Sequence, residues 1–180
     1  MQIIGISGRR GVGKSALAAY YHRHKGFDIV SFAGPLKAMA KSMMPFTEAD
    51  LTNVKKKEAP FKEYSWTPRE FLINLGEFMR YHEPNYWLNK GLAACSLSKG
   101  RYVFDDVRYV NEADAIREMG GKIIRVNRYE KSNPYGKNLD IASENNLDNY
   151  KFDFTIHDCV NTTLDSLHQE GDFVLKELEW

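Results

Sequence analysis

Cysteine is almost missing from this chain: among 180 residues only Cys95 and Cys159 carry thiols, far apart and without a CxxC or Cys/His spacing. That excludes a disulfide framework or a zinc centre, and both are expected as reduced, buried thiols. No apolar run is long enough to span a bilayer, and no apolar leader opens the chain, so a soluble cytoplasmic protein without a membrane partner is expected. An excess of one charge is missing too. With 25 basic and 24 acidic residues the formal net charge is +1, which removes the electrostatic case for coating nucleic acid. Any anion must be met locally. There is no internal repeat and no low-complexity tract. The histidines offer no metal or catalytic set, because His22 and His24 fall on different helix faces and His82, His157 and His168 lack partners by spacing.

What is present is an ordinary globular composition, 43% hydrophobic and 27% charged, at a single-domain length. Near its start, Gly8-Arg9-Arg10-Gly11-Val12-Gly13-Lys14-Ser15 fills every fixed position of G-x-x-x-x-G-K-[ST] directly after the apolar run Ile3-Ile4-Gly5-Ile6. Gly8, Gly11 and Gly13 let the backbone take φ values other residues avoid, so that N–H groups can turn around an anion. Lys14 adds a charge for β- and γ-phosphates, Ser15 a hydroxyl for Mg²⁺, and the following helix its positive end. The chemistry is that of a phosphate-binding P-loop. Strand before and helix after supply the context that a bare glycine-rich turn would lack.

Gly26 marks the end of that helix, and residues 27–32 read as a second strand. Pro35 suits the first position of a helix that runs to Pro45. From about 46 to 98 no strand is evident; Thr67-Pro68-Arg69-Glu70 predicts an N-cap, a proline at N1 and an acidic first turn for a helix reaching about Arg80, with another helix from near Pro84. Strands return at 101–106, 122–127 and 152–156, with a helix from about 111 to 119 and a closing helix or two after Asn161. Residues 128–149 are polar, lack periodicity and suit a mobile loop. Alternating strands and helices imply a five-stranded parallel sheet in an α/β/α arrangement, with ligands at the carboxyl ends of the strands.

The P-loop, Ala33-Gly34-Pro35-Leu36-Lys37, Asp105-Asp106-Val107-Arg108 and the Arg125/Arg128 segment all follow strands. An acid at a strand end in such a chain is a candidate for Mg²⁺. Asp106 is the favoured residue, though strand alternation leaves Asp105 open. Arg108 could clamp a phosphate. Lys37, Arg69 and Arg80 could grip a second phosphorylated ligand, since guanidinium forks bind phosphate oxygens bidentately. Aromatics of the insert, Trp66 among them, could stack on a base, although most must be core. Lys55-Lys56-Lys57 reads as a solvated loop face.

These motifs, in this order, resemble the bacteriophage deoxynucleoside monophosphate kinases. The resemblance rests on Ser7-Gly8 through Ser15, Phe32-Ala33-Gly34-Pro35-Leu36-Lys37, Thr67-Pro68-Arg69-Glu70 with Leu75-Gly76 and Tyr86-Trp87, Asp106-Val107-Arg108 with Asn111-Glu112-Ala113, and Ser143-Glu144. It runs almost end to end. It implies a P-loop kinase domain with its core at 1–45 and 99–180, a helical NMP-binding insert at about 46–98 and a lid at about 128–149, transferring the ATP γ-phosphoryl to a dNMP in the cytoplasm of an infected host. The implied roles are ATP binding for the loop Gly8, Arg9, Gly11, Val12, Gly13, Lys14 and Ser15 together with Arg125, Mg²⁺ binding for Ser15 and Asp106, and catalysis for Lys14, Arg69, Asp106, Arg108 and Arg128. Arg10, Lys37, Trp66, Arg69, Glu77, Arg80, Ser143 and Glu144 would bind the dNMP. The chain departs from the pattern at Glu77, where a threonine commonly follows the Leu-Gly pair, and in Asp140-Ile141-Ala142-Ser143-Glu144, where a histidine often precedes the last pair. Both departures bear on base preference. A monomer or homodimer with no nucleic-acid partner is expected. The rival readings are a P-loop kinase for another small acceptor such as dephospho-coenzyme A, and a nucleotide-dependent switch or nucleic-acid ATPase.

Overall fold

A computed structural model describes residues 1–93, 100–127, 145–157 and 163–180. Cys95 and Cys159, and the expected lid residues Arg128, Ser143 and Glu144, lie outside them. The chain divides into two compact units, one formed by Met1–Ser31 with Ser96–Trp180 and the other by Phe32–Cys95.

The first unit holds β1 (Gln2–Ser7), α1 (Lys14–Lys25), β2 (Asp28–Val30), β3 (Arg101–Val107), α7 (Val110–Glu118), β4 (Lys122–Asn127), β5 (Phe154–His157) and α8 (Leu164–Glu177). The five strands form one sheet in the order β2-β3-β1-β4-β5, and every neighbouring pair is parallel. Alternation along β1 explains the layers. Ile4 and Ile6 enter a core with Leu17 and Tyr21 of α1 and Leu167, Val174 and Leu175 of α8. Gly5 points the opposite way, where an added Cβ would meet Ile116 of α7 at 2.9 Å and Ile123 at 2.7 Å. Helices therefore cover both faces of the sheet. At the helix contact beneath it, the buried Tyr21 hydroxyl donates to the Gly171 carbonyl at 2.9 Å. Burial pushes that phenol well above its ordinary value, so it remains a donor.

The second unit is helical: α2 (Ala33–Met43), α3 (Glu48–Thr52), α4 (Val54–Lys57), α5 (Pro68–His82) and α6 (Tyr86–Ala93). Its core joins Leu36 and Ala40 of α2 to Phe46, Leu51, Phe61, Leu72 and Trp87. The unit thus begins at Phe32 and not near residue 46, because the apolar face of α2 is covered by α5 and α6. The start of α5 is the one its sequence predicts: Thr67 accepts from the Glu70 amide at 3.1 Å, and the Glu70 carboxylate accepts from the Thr67 amide at 2.8 Å. Such a reciprocal cap stabilises a helix by about 1 kcal/mol.

Three boundaries differ from the sequence reading. Pro35 is the third residue of α2, not the first; amides throughout the first turn have no acceptor inside the helix, so proline costs nothing at any of them. β2 is only three residues long, with the buried Phe27 and Phe32 beyond the ladder. β5 begins at Phe154 and not Phe152, because the Asp153 carboxylate accepts from the Ile123 amide at 2.9 Å and from Arg117, which ends the irregular approach.

Candidate active site

All strands being parallel, the ends of β1, β3 and β4 lie along one edge of the sheet, and β1 is where the chain's winding reverses: β3 and β2 lie to one side, β4 and β5 to the other. Open α/β sheets bind ligands at such a point. The glycine loop of residues 8–15 starts there. Gly8 has φ 148°, Gly11 78° and Gly13 103°, and a Cβ at Gly8 would fall against the Val126 carbonyl oxygen. Only glycine fits that turn. Gly13, in the left-handed region, then opens α1, which directs its N-terminal amides and dipole toward the loop.

Lys14 is buried, and its Nζ donates to the carbonyls of Gly8 at 2.7 Å and Arg9 at 2.8 Å. The loop is thus wound around the ammonium. The Ser15 hydroxyl, at the first turn of α1, donates to Asp105 Oδ2 at 2.9 Å, whereas Asp106 Oδ2 accepts from the Ser31 hydroxyl at 2.6 Å. The ladder is irregular at these two residues. Between Gly5 and Ser7 of β1, β3 advances from Phe104 to Val107, three residues against two. The extra residue is a bulge in the Asp105-Asp106 stretch, a device that re-aims side chains beside active sites.

The turn after β3 is held by Glu112, which is buried and accepts from the amides of Arg108 at 2.8 Å and Tyr109 at 3.1 Å. Arg108 itself is half-buried. On the other side of β1, Arg125 is 7% exposed at the end of β4. It donates to the Ser7 hydroxyl at 3.3 Å, Asn127 Oδ1 at 3.2 Å and Asp148 Oδ1 at 2.9 Å, and it lies 5.4 Å from the Phe152 ring centroid. Arg9 donates to the other Asp148 oxygen at 2.9 Å. Sequence reading missed Asp148, missed Glu112 as the brace of Arg108, and left open whether Asp105 or the favoured Asp106 meets Ser15. The first has no local signal, and the third is concealed by the bulge.

In the helical unit, Arg69 stands in the first turn of α5 with Nη1 3.7 Å from Glu58, and Arg80 lies 3.3 Å from Glu77 one turn along the same helix. Trp66 stacks on Tyr64 at 4.7 Å and reaches Phe61 and Phe71. Lys37 is half-buried on α2 and Arg10 half-buried on the glycine loop. No group of three or more His, Cys, Asp or Glu side chains that could hold a metal occurs among the described residues. The donors at this point are the Ser15 hydroxyl and the Asp105 carboxylate. That all-oxygen set fits a hard cation such as Mg²⁺, which keeps several waters and takes only one or two protein ligands. No described helix is long and apolar enough to cross a membrane.

No protein-family model matches the chain. A curated mimivirus (Acanthamoeba polyphaga mimivirus) protein described as "Putative deoxynucleotide monophosphate kinase" is 30% identical over 150 residues, covering 71% of this chain and 75% of the viral protein. Among solved structures, dephospho-CoA kinase from Campylobacter jejuni superposes with a TM-score of 0.50 over 98% of this chain and 97% of its own, at 16% identity. At that identity the likeness is one of fold. Shikimate kinase from Aquifex aeolicus follows at a TM-score of 0.47, with 12% identity and coverage of 98% and 96%. The sheet order, the loop wound around Lys14 and the extent of the match to the viral protein lead to one conclusion: the chain is a P-loop kinase and belongs to the nucleoside monophosphate kinase-like family.

Proposed function

We propose that the chain is a deoxynucleoside monophosphate kinase of the bacteriophage type, transferring the γ-phosphoryl group of ATP to a 5′-dNMP to give dNDP and ADP. The observation that carries this reading is the 30% identity to the mimivirus protein over 150 residues, because a P-loop alone specifies the donor and not the acceptor. A dNMP phosphate oxygen is already an anionic nucleophile. Catalysis is then positioning and charge stabilisation, with no general base.

Within that reading, loop residues 8–15 take the donor phosphates, and Lys14 leaves its own loop carbonyls for the β- and γ-oxygens. Mg²⁺, when bound, supplies neutralisation of charge on those oxygens. The Ser15 hydroxyl with Asp105 is our assignment for its protein contacts, in preference to Asp106, because Ser15 meets Asp105. Asp106 and Arg108 keep the catalytic roles that the family resemblance implies. Arg9 and Arg125 serve the donor nucleotide. Arg10, Lys37, Trp66, Arg69, Glu77 and Arg80 serve the acceptor, with Ser143 and Glu144, while Arg128 neutralises the transferring group. The enzyme works in the cytoplasm, alone or as a homodimer, without nucleic acid.

A coupled assay of ADP release with ATP, Mg²⁺ and separate panels of dNMPs, NMPs and dephospho-coenzyme A tests the reading. Turnover that depends on a dNMP is expected. Turnover with dephospho-coenzyme A and none with any dNMP would overturn it. For Arg69, loss of a charge-assisted contact is worth about 1.5–3 kcal/mol, or roughly 10- to 100-fold. Arg69→Ala is therefore expected to raise KM for the dNMP by that factor while KM for ATP stays within about twofold. An unchanged dNMP KM would remove Arg69 from the acceptor site.

A further inference from the structure

One carboxylate near the glycine loop belongs to none of the roles assigned above. Asp148 gives its two oxygens to two different guanidiniums, Oδ2 to Arg9 of the loop and Oδ1 to Arg125 of β4, each at 2.9 Å. The two arginines come from distant parts of the chain and differ in burial. Arg125 is fixed by burial, by Ser7 and by Asn127, whereas Arg9 sits between two positive-φ glycines and its side chain is 32% exposed.

Asp148 itself stands on a tethered segment. Its amide donates to the Asn145 carbonyl at 3.0 Å, and the neighbouring Leu147 is buried. Asn146 accepts from the Val110 amide at 3.0 Å, the Tyr150 hydroxyl donates to Asp114 at 2.8 Å, and Arg117 donates to the Lys151 carbonyl and to Asp153. Burial, followed by the bond to Asp114, pushes the Tyr150 phenol up to about 12, so that tether persists across neutral pH. Four attachments to α7 and its N-terminus therefore make residues 146–153 a rigid post.

We propose that Asp148 is a positioning residue of the donor site: it sets the Arg9 guanidinium against Arg125 before the nucleotide arrives, so that ATP does not have to order that side chain itself. This rests on the assignment of Arg9 and Arg125 to the donor nucleotide. The physical basis is preorganisation, in which a residue that never touches the ligand raises affinity by removing the cost of fixing one that does. A carboxylate is required because an amide offers one acceptor oxygen, and its NH₂ would face the second guanidinium.

The test is equilibrium binding of a non-hydrolysable ATP analogue with Mg²⁺, together with steady-state kinetics, for Asp148→Asn, Asp148→Glu, Arg9→Ala and the double variant R9A/D148N. Asp148→Asn is expected to weaken analogue binding and raise KM for ATP about tenfold, with kcat within about threefold of wild type. In the double variant the loss should fall well short of the product of the single losses, because Asp148 acts through Arg9. Asp148→Glu keeps the charge that buried Arg125 needs, and so folds even if the amide variant does not; its carboxylate lies one methylene out of place, and about a threefold loss is expected. Wild-type affinity in either Asp148 variant, or fully multiplicative losses in the double variant, would overturn the proposal. Lys14→Met measured alongside separates the two readings. If it weakens analogue binding while the Asp148 variants bind normally, only the role of Asp148 fails; if it too binds normally, the donor-site reading fails.

Discussion

Replacing Lys14 with methionine or alanine is expected to lower kcat at least about 10²- to 10³-fold, the loss typical when one preorganised charge-stabilising donor is removed from a site. The fold should survive. Lys14 Nζ is bonded to the carbonyls of Gly8 and Arg9 within its own loop, and methionine retains the aliphatic stem. Far-ultraviolet circular dichroism and the urea midpoint would show whether the variant is folded, and a coupled ADP assay at saturating ATP and acceptor would give kcat. Turnover within tenfold of wild type in a folded variant would remove Lys14 from the mechanism.

The second large effect separates two adjacent carboxylates. Asp105→Asn should raise the Mg²⁺ concentration needed for half-maximal rate at least about tenfold and lower kcat about 10²-fold, since a ligand to a hard cation loses its charge. Asp106→Asn should leave the Mg²⁺ requirement nearly unchanged. Ser15 donates to Asp105, whereas Asp106 is held by Ser31. A magnesium titration of both variants decides between them. If the shift appears in the Asp106 variant and not in the Asp105 variant, the metal assignment returns to Asp106, the residue that strand-end reasoning favours.

These adjacent residues show where sequence reading runs out. A strand alternates its faces, so one aspartate of the pair should continue each face, and no count of residues says which one meets the loop. The bulge between Phe104 and Val107 removes the alternation on which that count depends. The glycine loop was legible because its constraint is local: residues at fixed spacing, each with its own backbone or charge requirement, satisfied within eight positions. The start of α5 was legible for the same reason, since the bonds between Thr67 and Glu70 close within a single turn.

Long-range pairings left no such trace. That the chain alternates strands and helices could be read from apolar periodicity, but the order β2-β3-β1-β4-β5 depends on which buried runs pair across distant sequence. The bridge from Arg9 to Asp148 spans 139 positions of chain, and nothing in the neighbourhood of Asp148 distinguishes it from a solvated loop acid. The attachment of α2 to the helical unit is similar. Leu36 and Ala40 have the spacing of an amphipathic face, which predicts burial without saying against what; Leu72 and Trp87 supply the answer.

In the proposed reaction the terminal phosphoryl group of ATP passes directly to a nucleoside monophosphate. ATP labelled at the γ-phosphorus, incubated with Mg²⁺, the protein and a dNMP, tests it when the products are separated and counted. Label is expected in the dNDP in one-to-one proportion with ADP formed, with little released without the dNMP. Label recovered as inorganic phosphate at the same rate with or without any dNMP would contradict it.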